Sequence, residues 1–209
     1  MSDKVHLYEG VERVENKIVR TNKAVYYYDQ LVCSVPVSIA RVLFPSIKIL
    51  DDLEGQPFAR IYAKVDKGNQ EMAEKIKNFT IVDSYLRKII PINPKKGIYM
   101  IGYNDNFDAL ESFFDFTNMT EKEVYDKLSG EIKRIFGIDI TVRFAKIAFW
   151  DYGTTYYKPL KTKYKNRGEW LKIAQHPVPD IYFVGEGFSQ NQGWVEGALE
   201  SVDAIYKFL

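Results

Sequence analysis

Cysteine is almost missing from this sequence. Cys33 is the only one in 209 residues, which excludes an intrachain disulfide framework and a thiolate metal site. It sits in the apolar run Leu31-Val32-Cys33-Ser34-Val35, where a buried, inert thiol is expected rather than a nucleophile. Histidine is as scarce. His6 and His176 are isolated and have no cysteine between them to complete a zinc site, so no metal is expected. An excess of charge of one sign is lacking too. The formal net charge is +1, which gives no electrostatic case for nucleic acid or an anionic membrane. No apolar run approaches the about 20 residues needed to span a bilayer. Met1-Ser2-Asp3-Lys4 opens without the apolar segment of a secretory signal, so an intracellular, cytoplasmic setting is expected.

What is present is a globular composition. Apolar residues make up 46% and charged residues 27%, enough for a real core under a near-neutral surface. No internal repeat or low-complexity linker interrupts it. The pattern predicts an α+β fold: a mixed, antiparallel-leaning sheet with packing helices. Short β-prone runs cover 5–7, 11–14, 17–20, 24–28 and 31–35, and a strand with clean period-2 alternation covers 58–65. Residues 38–44 should form a short helix with Ser38 as its cap, and 70–77 another. Strands at 87–92 and 97–103 flank the turn-rich Asn93-Pro94-Lys95-Lys96. Thr120-Glu121-Lys122-Glu123 is a capping box. Val124, Leu128, Ile132 and Ile135 follow at helical spacing, and Gly137 closes the helix. A long strand is expected at 138–150, a short helix at 169–175, a strand at 181–184 and a helix at 193–209. The sheet should contain 24–28, 31–35, 58–65, 87–92, 97–103 and 138–150 together.

The stretch most able to carry chemistry is residues 181–201. An apolar strand leads into Gly185-Glu186-Gly187, then a polar loop, then a helix opening with small residues. Glycines at 185 and 187 permit tight turns and close backbone approach. The helix start at 193–195 offers N–H groups to an anion or a polar ring edge. Gly197, Ala198 and Ser201 leave one face thin enough for a planar group to lie against. Physics alone weighs a ligand site and ordinary strand–turn–helix packing about evenly. The Gly185-Glu186-Gly187 run is not a dinucleotide fingerprint, because position 190 is glutamine.

This stretch resembles the C-terminal flavin-binding signature of the monoamine and polyamine oxidase family. The match consists of Gly185-Glu186, Ser189 and Gly193-Trp194-Val195-Glu196-Gly197-Ala198-Leu199-Glu200-Ser201. Three further segments are similar to the family: Tyr28 through Pro36, Arg60 through Val65, and Trp150 through Pro159. The resemblance implies a substrate-domain-like unit over 1–180 and a C-terminal strand–helix over 181–209 that belongs to the FAD side of such enzymes. It implies FAD as cofactor and an amine as ligand. It places Gly185, Glu186, Ser189, Gly193, Val195 and Glu196 at the flavin, and makes Trp194 one wall of an aromatic cage beside it. Arg60 stands where the family has a lysine that holds a water, a change that is not conservative. Gly153 stands where a second cage tyrosine is expected, with Tyr152 next to it. The Gly-x-Gly-x-x-Gly strand–helix that binds the ADP half of FAD is not found in these residues. The resemblance therefore implies an amine oxidase-like chain that does not hold FAD or act alone. It would work with a separate FAD-binding polypeptide or as a homo-oligomer. The alternative is a non-catalytic binding or structural protein that reuses the substrate-domain fold. The strand at 181–184 has lost its usual neighbours or found new ones, and where it has none it should expose unpaired backbone groups.

Overall fold

The computed structural model describes residues 5–159 and 163–209. The opening Met1-Ser2-Asp3-Lys4, where no signal segment is expected, lies outside them. The chain is α+β, as its patterning requires. It divides into two compact units. One is contiguous, Gln56–Gly153; the other joins Met1–Gly55 to Thr154–Leu209.

In the two-segment unit, β1 (Val11–Glu15), β2 (Ile18–Thr21) and β3 (Val25–Tyr27) form a three-stranded antiparallel meander. Asn16 and Lys17 both have positive φ, 49° and 59°, which is the backbone twist a two-residue hairpin turn needs. Residues 5–7 are not a strand. β4 (Leu31–Cys33) belongs to a separate two-stranded sheet, where it pairs in parallel with β10 (Ile181–Phe183). The register sets Ile181 opposite Leu31, Tyr182 opposite Val32 and Phe183 opposite Cys33. One expectation is corrected here. Residues 24–28 and 31–35 do not join the sheet of 58–65, because β3 takes its hairpin neighbour and β4 takes β10. The strand at 181–184 has found a new partner in β4, which satisfies one edge.

Helix α1 (Val37–Leu43) has Pro36 rather than Ser38 at its N-cap position, with no side-chain cap bond. It packs with a 3-10 turn at Lys48–Asp52, with α5 (Arg167–Ala174) and with β10 around Leu50, Leu53, Trp170, Phe183 and Phe188. Asn166 caps α5 by accepting from the Glu169 N–H, and the Trp170 indole donates to Asp52 Oδ2 at 2.9 Å. Cys33 is buried in this core, and burial pushes its thiol pKa up.

The contiguous unit is built on a five-stranded sheet in the order β6 (Thr80–Ile81), β7 (Lys88–Asn93), β8 (Ile98–Asp105), β5 (Leu53–Val65) and β9 (Val142–Tyr157). β5 and β9 each cross the boundary between the units. The period-2 reading of β5 holds for one face, where Ala59, Ile61, Ala63 and Val65 are buried and the last three enter the core, while Arg60 on the other face is buried as well. α2 (Asn69–Lys75) and α4 (Glu121–Phe136) close over that core with Met72, Val124, Leu128 and Ile132. The Thr120 capping box forms in both directions, and Gly137 ends α4 at φ 71°. One helix had no counterpart in the sequence reading: α3 (Asn106–Asn118). Its Phe113, Phe114 and Phe116 are weak helix formers, and no cap residue bonds its start, so the usual signals are missing.

Candidate functional site

The strand–turn–helix of residues 181–201 lies wholly in the two-segment unit. β10 ends at Phe183, and Gly185 follows two residues later, with a φ of 126° that favours glycine and open space on its Cβ side. A 3-10 turn at Glu186–Phe188 follows, and α6 (Val195–Tyr206) begins after Trp194. The turn is held by its own polar groups. Glu186 Oε2 accepts from the Gly193 N–H at 2.7 Å and from the Thr154 hydroxyl at 3.3 Å. Ser189 is buried; its hydroxyl donates to Glu186 O and accepts from the Asn191 N–H. Gln192 bridges the Tyr157 N–H and Gly187 O. Burial pushes the Tyr157 hydroxyl pKa up, and that hydroxyl donates to Ser189 O. Thr154, Tyr157 and Gln192 were not singled out from the sequence. Their part in the turn depends on a contact between β9 and the loop, which residue order does not reveal.

The thin helix face expected at Gly197, Ala198 and Ser201 is already filled. A Cβ on Gly197 would stand 2.0 Å from Asn191 O and 2.3 Å from Ser189 Oγ. Ser201 Oγ accepts from the Gly185 N–H at 2.8 Å and donates to Ala198 O at 2.6 Å. The glycine and serine therefore let the turn pack onto its own helix, which leaves a planar ligand no room on that face.

What remains open is the helix start. Trp194 is 74% exposed and Val195 77%, and no side chain caps the first turn. Glu196, an exposed first-turn carboxylate, and the exposed Gly193 complete the rim. First-turn N–H groups of a helix lack intrahelical acceptors, so this edge offers donors beside an indole face. Set against FAD, only the α6 start offers free donors, because the Gly185 N–H and C=O are both hydrogen-bonded within the strand–turn–helix. Nothing in the strand–turn–helix supplies a cradle for its ADP half.

Arg60 and Tyr152 lie in the contiguous unit, where both line a recess of about 330 Å³ with Phe58, Tyr62, Met100 and Trp150. Trp194 belongs to the other unit. Arg60 is 7% exposed, and its Nη1 donates to Ala59 O at 2.9 Å and Asn104 O at 2.8 Å. Its guanidinium carbon lies 3.3 Å from the Tyr103 ring centroid and 4.5 Å from that of Phe58. This is a clamp between β5 and β8, in which one nitrogen is committed to main-chain carbonyls. Gly153 answers a different question from the one expected. A Cβ there would stand 2.3 Å from the Phe58 ring, so the volume of a side chain at 153 is taken by an aromatic ring from the neighbouring strand.

Among the described residues, no group of three or more His, Cys, Asp or Glu could hold a metal ion. No helix among them is long and apolar enough to cross a membrane. No protein-family model matches the chain, and no curated protein matches its sequence.

Proposed function

We propose that this chain is a flavin amine oxidase-like protein whose residues serve the ring side of FAD and the amine, without binding FAD tightly on their own. The observation that carries this is the start of α6: an uncapped helix N-terminus, an exposed Trp194 and an open Gly185 turn on one strand–turn–helix. A helix N-terminus stabilises the electron-rich edge of a ring, and an indole face suits an amine. When bound, FAD supplies the two-electron oxidation of a C–N bond; the chain's part is to hold and orient. In this reading Trp194 guides the amine, while Gly185, Gly193, Val195 and Glu196 border the flavin. The α6 surface carries exposed Val195, Leu199, Val202 and Tyr206 at seam spacing, which suits a separate FAD-binding polypeptide or a second copy.

A second reading, a non-catalytic binding protein on the same fold, is favoured by Arg60. Its guanidinium is engaged in a structural clamp rather than free to hold a water. Titrating FMN into the isotopically labelled full chain separates the two. Movement of the Trp194 indole and of the Gly185 and Val195 amides is expected for the first reading. Unmoved resonances there at millimolar FMN would leave the second.

A further inference from the structure

The two ends of the five-stranded sheet are built differently. β6 is two residues long, and so short an edge offers little to pair with. β9 is 16 residues long and carries no proline. It has β5 on one side and, among the described residues, no strand on the other. Among the same residues, no main-chain bond from a loop or helix reaches 143–151. A long edge of this kind presents a row of N–H and C=O groups, a template for another strand.

The side chains of β9 leave that edge approachable. Ala145 and Ile147 pack against the core, and Phe149 stacks on Phe113 of α3 at 4.2 Å. On the opposite face Phe144 is 53% exposed and Trp150 48%, with exposed Lys146 between them. Asp151 is exposed as well. The Arg143 side chain is 71% exposed and meets Asp66 through Nε at 2.5 Å.

The order of these residues is complementary to itself. In a symmetric antiparallel pair, a twofold axis normal to the sheet keeps each face on its own side. Residues of like parity must then meet. With Ile147 opposite its own copy, Arg143 falls opposite Asp151 at both ends of the pair. Phe144 falls opposite Trp150 at both ends, and Lys146 lies opposite Ala148, diagonal to Trp150. Opposite charges and paired aromatics across two strands are favourable, and like charges are not. Moving the axis to position 146 opposes two lysines. Moving it to 148 sets Arg143 opposite Gly153 and Asp151 opposite Ala145. Of these three registers, charge complementarity selects the one centred on Ile147.

We propose that β9 pairs antiparallel with β9 of a second copy of this chain about a twofold axis at Ile147, joining two sheets into one. The inference is independent of the flavin reading, because it uses none of the residues around α6.

The test is sedimentation velocity on the full chain over micromolar to submillimolar concentrations, where a monomer–dimer equilibrium is expected. Asp151→Lys sets a lysine opposite Arg143 at both ends and leaves the Arg143 contact with Asp66 in place. It should weaken the dimer by about tenfold or more. Arg143→Glu should do the same, and Arg143→Glu combined with Asp151→Lys should restore the dimer. Directly opposed residues of antiparallel strands have Cα atoms about 4.5–5.5 Å apart, within disulfide reach. Ile147→Cys should therefore form an intermolecular disulfide on mild oxidation, while Cys33 stays buried and does not compete. Phe144→Cys should not, because in this register position 144 lies about 20 Å from its own copy. If Ile147→Cys does not fold, the charge exchange at exposed positions still decides. A chain that stays monomeric throughout the range overturns the inference. So does a dimer that Asp151→Lys leaves intact, which would run through another surface such as that of α6. Cross-linking through Phe144→Cys as readily as through Ile147→Cys would overturn the register.

Discussion

The two units solve the problem of closing a core in different ways. The contiguous unit, Gln56–Gly153, pairs β7 with β8 and β8 with β5 in one antiparallel sheet, then lays α4 on it from the same stretch of chain. The two-segment unit cannot close locally. Its β4 waits for β10, and Asp52 waits for the indole of Trp170, each from the far end of the chain. Closing long loops costs conformational entropy before any contact repays it. The comparison teaches that the signature of residues 181–201 sits in the unit assembled from distant pieces, and the best-formed local structure lies in the other.

Phe183→Ala strikes that difference hardest. Phe183 is fully buried, with its ring edge-on to Phe44 at 5.2 Å and near that of Phe188 at 5.4 Å. The expected loss is about 3–5 kcal/mol. Hydrogen exchange should show protection falling first in β4 and β10 while β8 stays protected. Equal loss in both would mean that the units unfold as one.

Arg60→Ala comes next and acts within the contiguous unit. It removes the buried clamp on Ala59 O and Asn104 O and one partner of Asp105, which should cost about 2–4 kcal/mol in denaturant unfolding. Arg60→Lys should recover only part of this, because an ammonium cannot stack flat on Tyr103 as the guanidinium does. Full recovery would show that the planar contact contributes nothing.

Thr120→Ala is smaller. Loss of the capping box should destabilise by about 1 kcal/mol, read as a shift in the unfolding midpoint at constant slope.

The smallest effect is that of pH on α4. Glu131 is held below the ordinary carboxylate range, first by its two-pronged bond to Arg134 and then by the Ser84 hydroxyl. A lowered folded-state pKa means a contribution that is complete above the unfolded value, about 4.3. It is lost as pH falls through the folded value. A carboxyl titration followed by NMR should place Glu131 below a solvated glutamate; a midpoint at or above that of free glutamate would contradict it.

The same contrast explains what could be read from residue order. The capping box at Thr120, the α4 stripe and the alternation of β5 were all legible, because each is a pattern within one element. The pairing of β4 with β10 was not, since three-residue strands carry no register signal and their partners lie far apart in the chain. The residues of the 181–201 stretch stood out in the sequence, but what packs against them did not. Gly197 read as room for a ligand and proved to be room for Asn191 O. Gly153 read as a missing side chain and proved to seat the Phe58 ring. A glycine announces close approach without saying what approaches.

Comparative calorimetry of FAD and FMN on the full chain bears most directly on the proposed function. If the α6 start serves only the ring side, the two flavins should bind within a fewfold of each other, both weaker than micromolar, which corresponds to about −8 kcal/mol. Trp194→Ala should weaken both equally. A stoichiometric FAD complex at micromolar affinity or tighter, with FMN far weaker, would contradict it, because it would require an ADP cradle that the proposed function does not include.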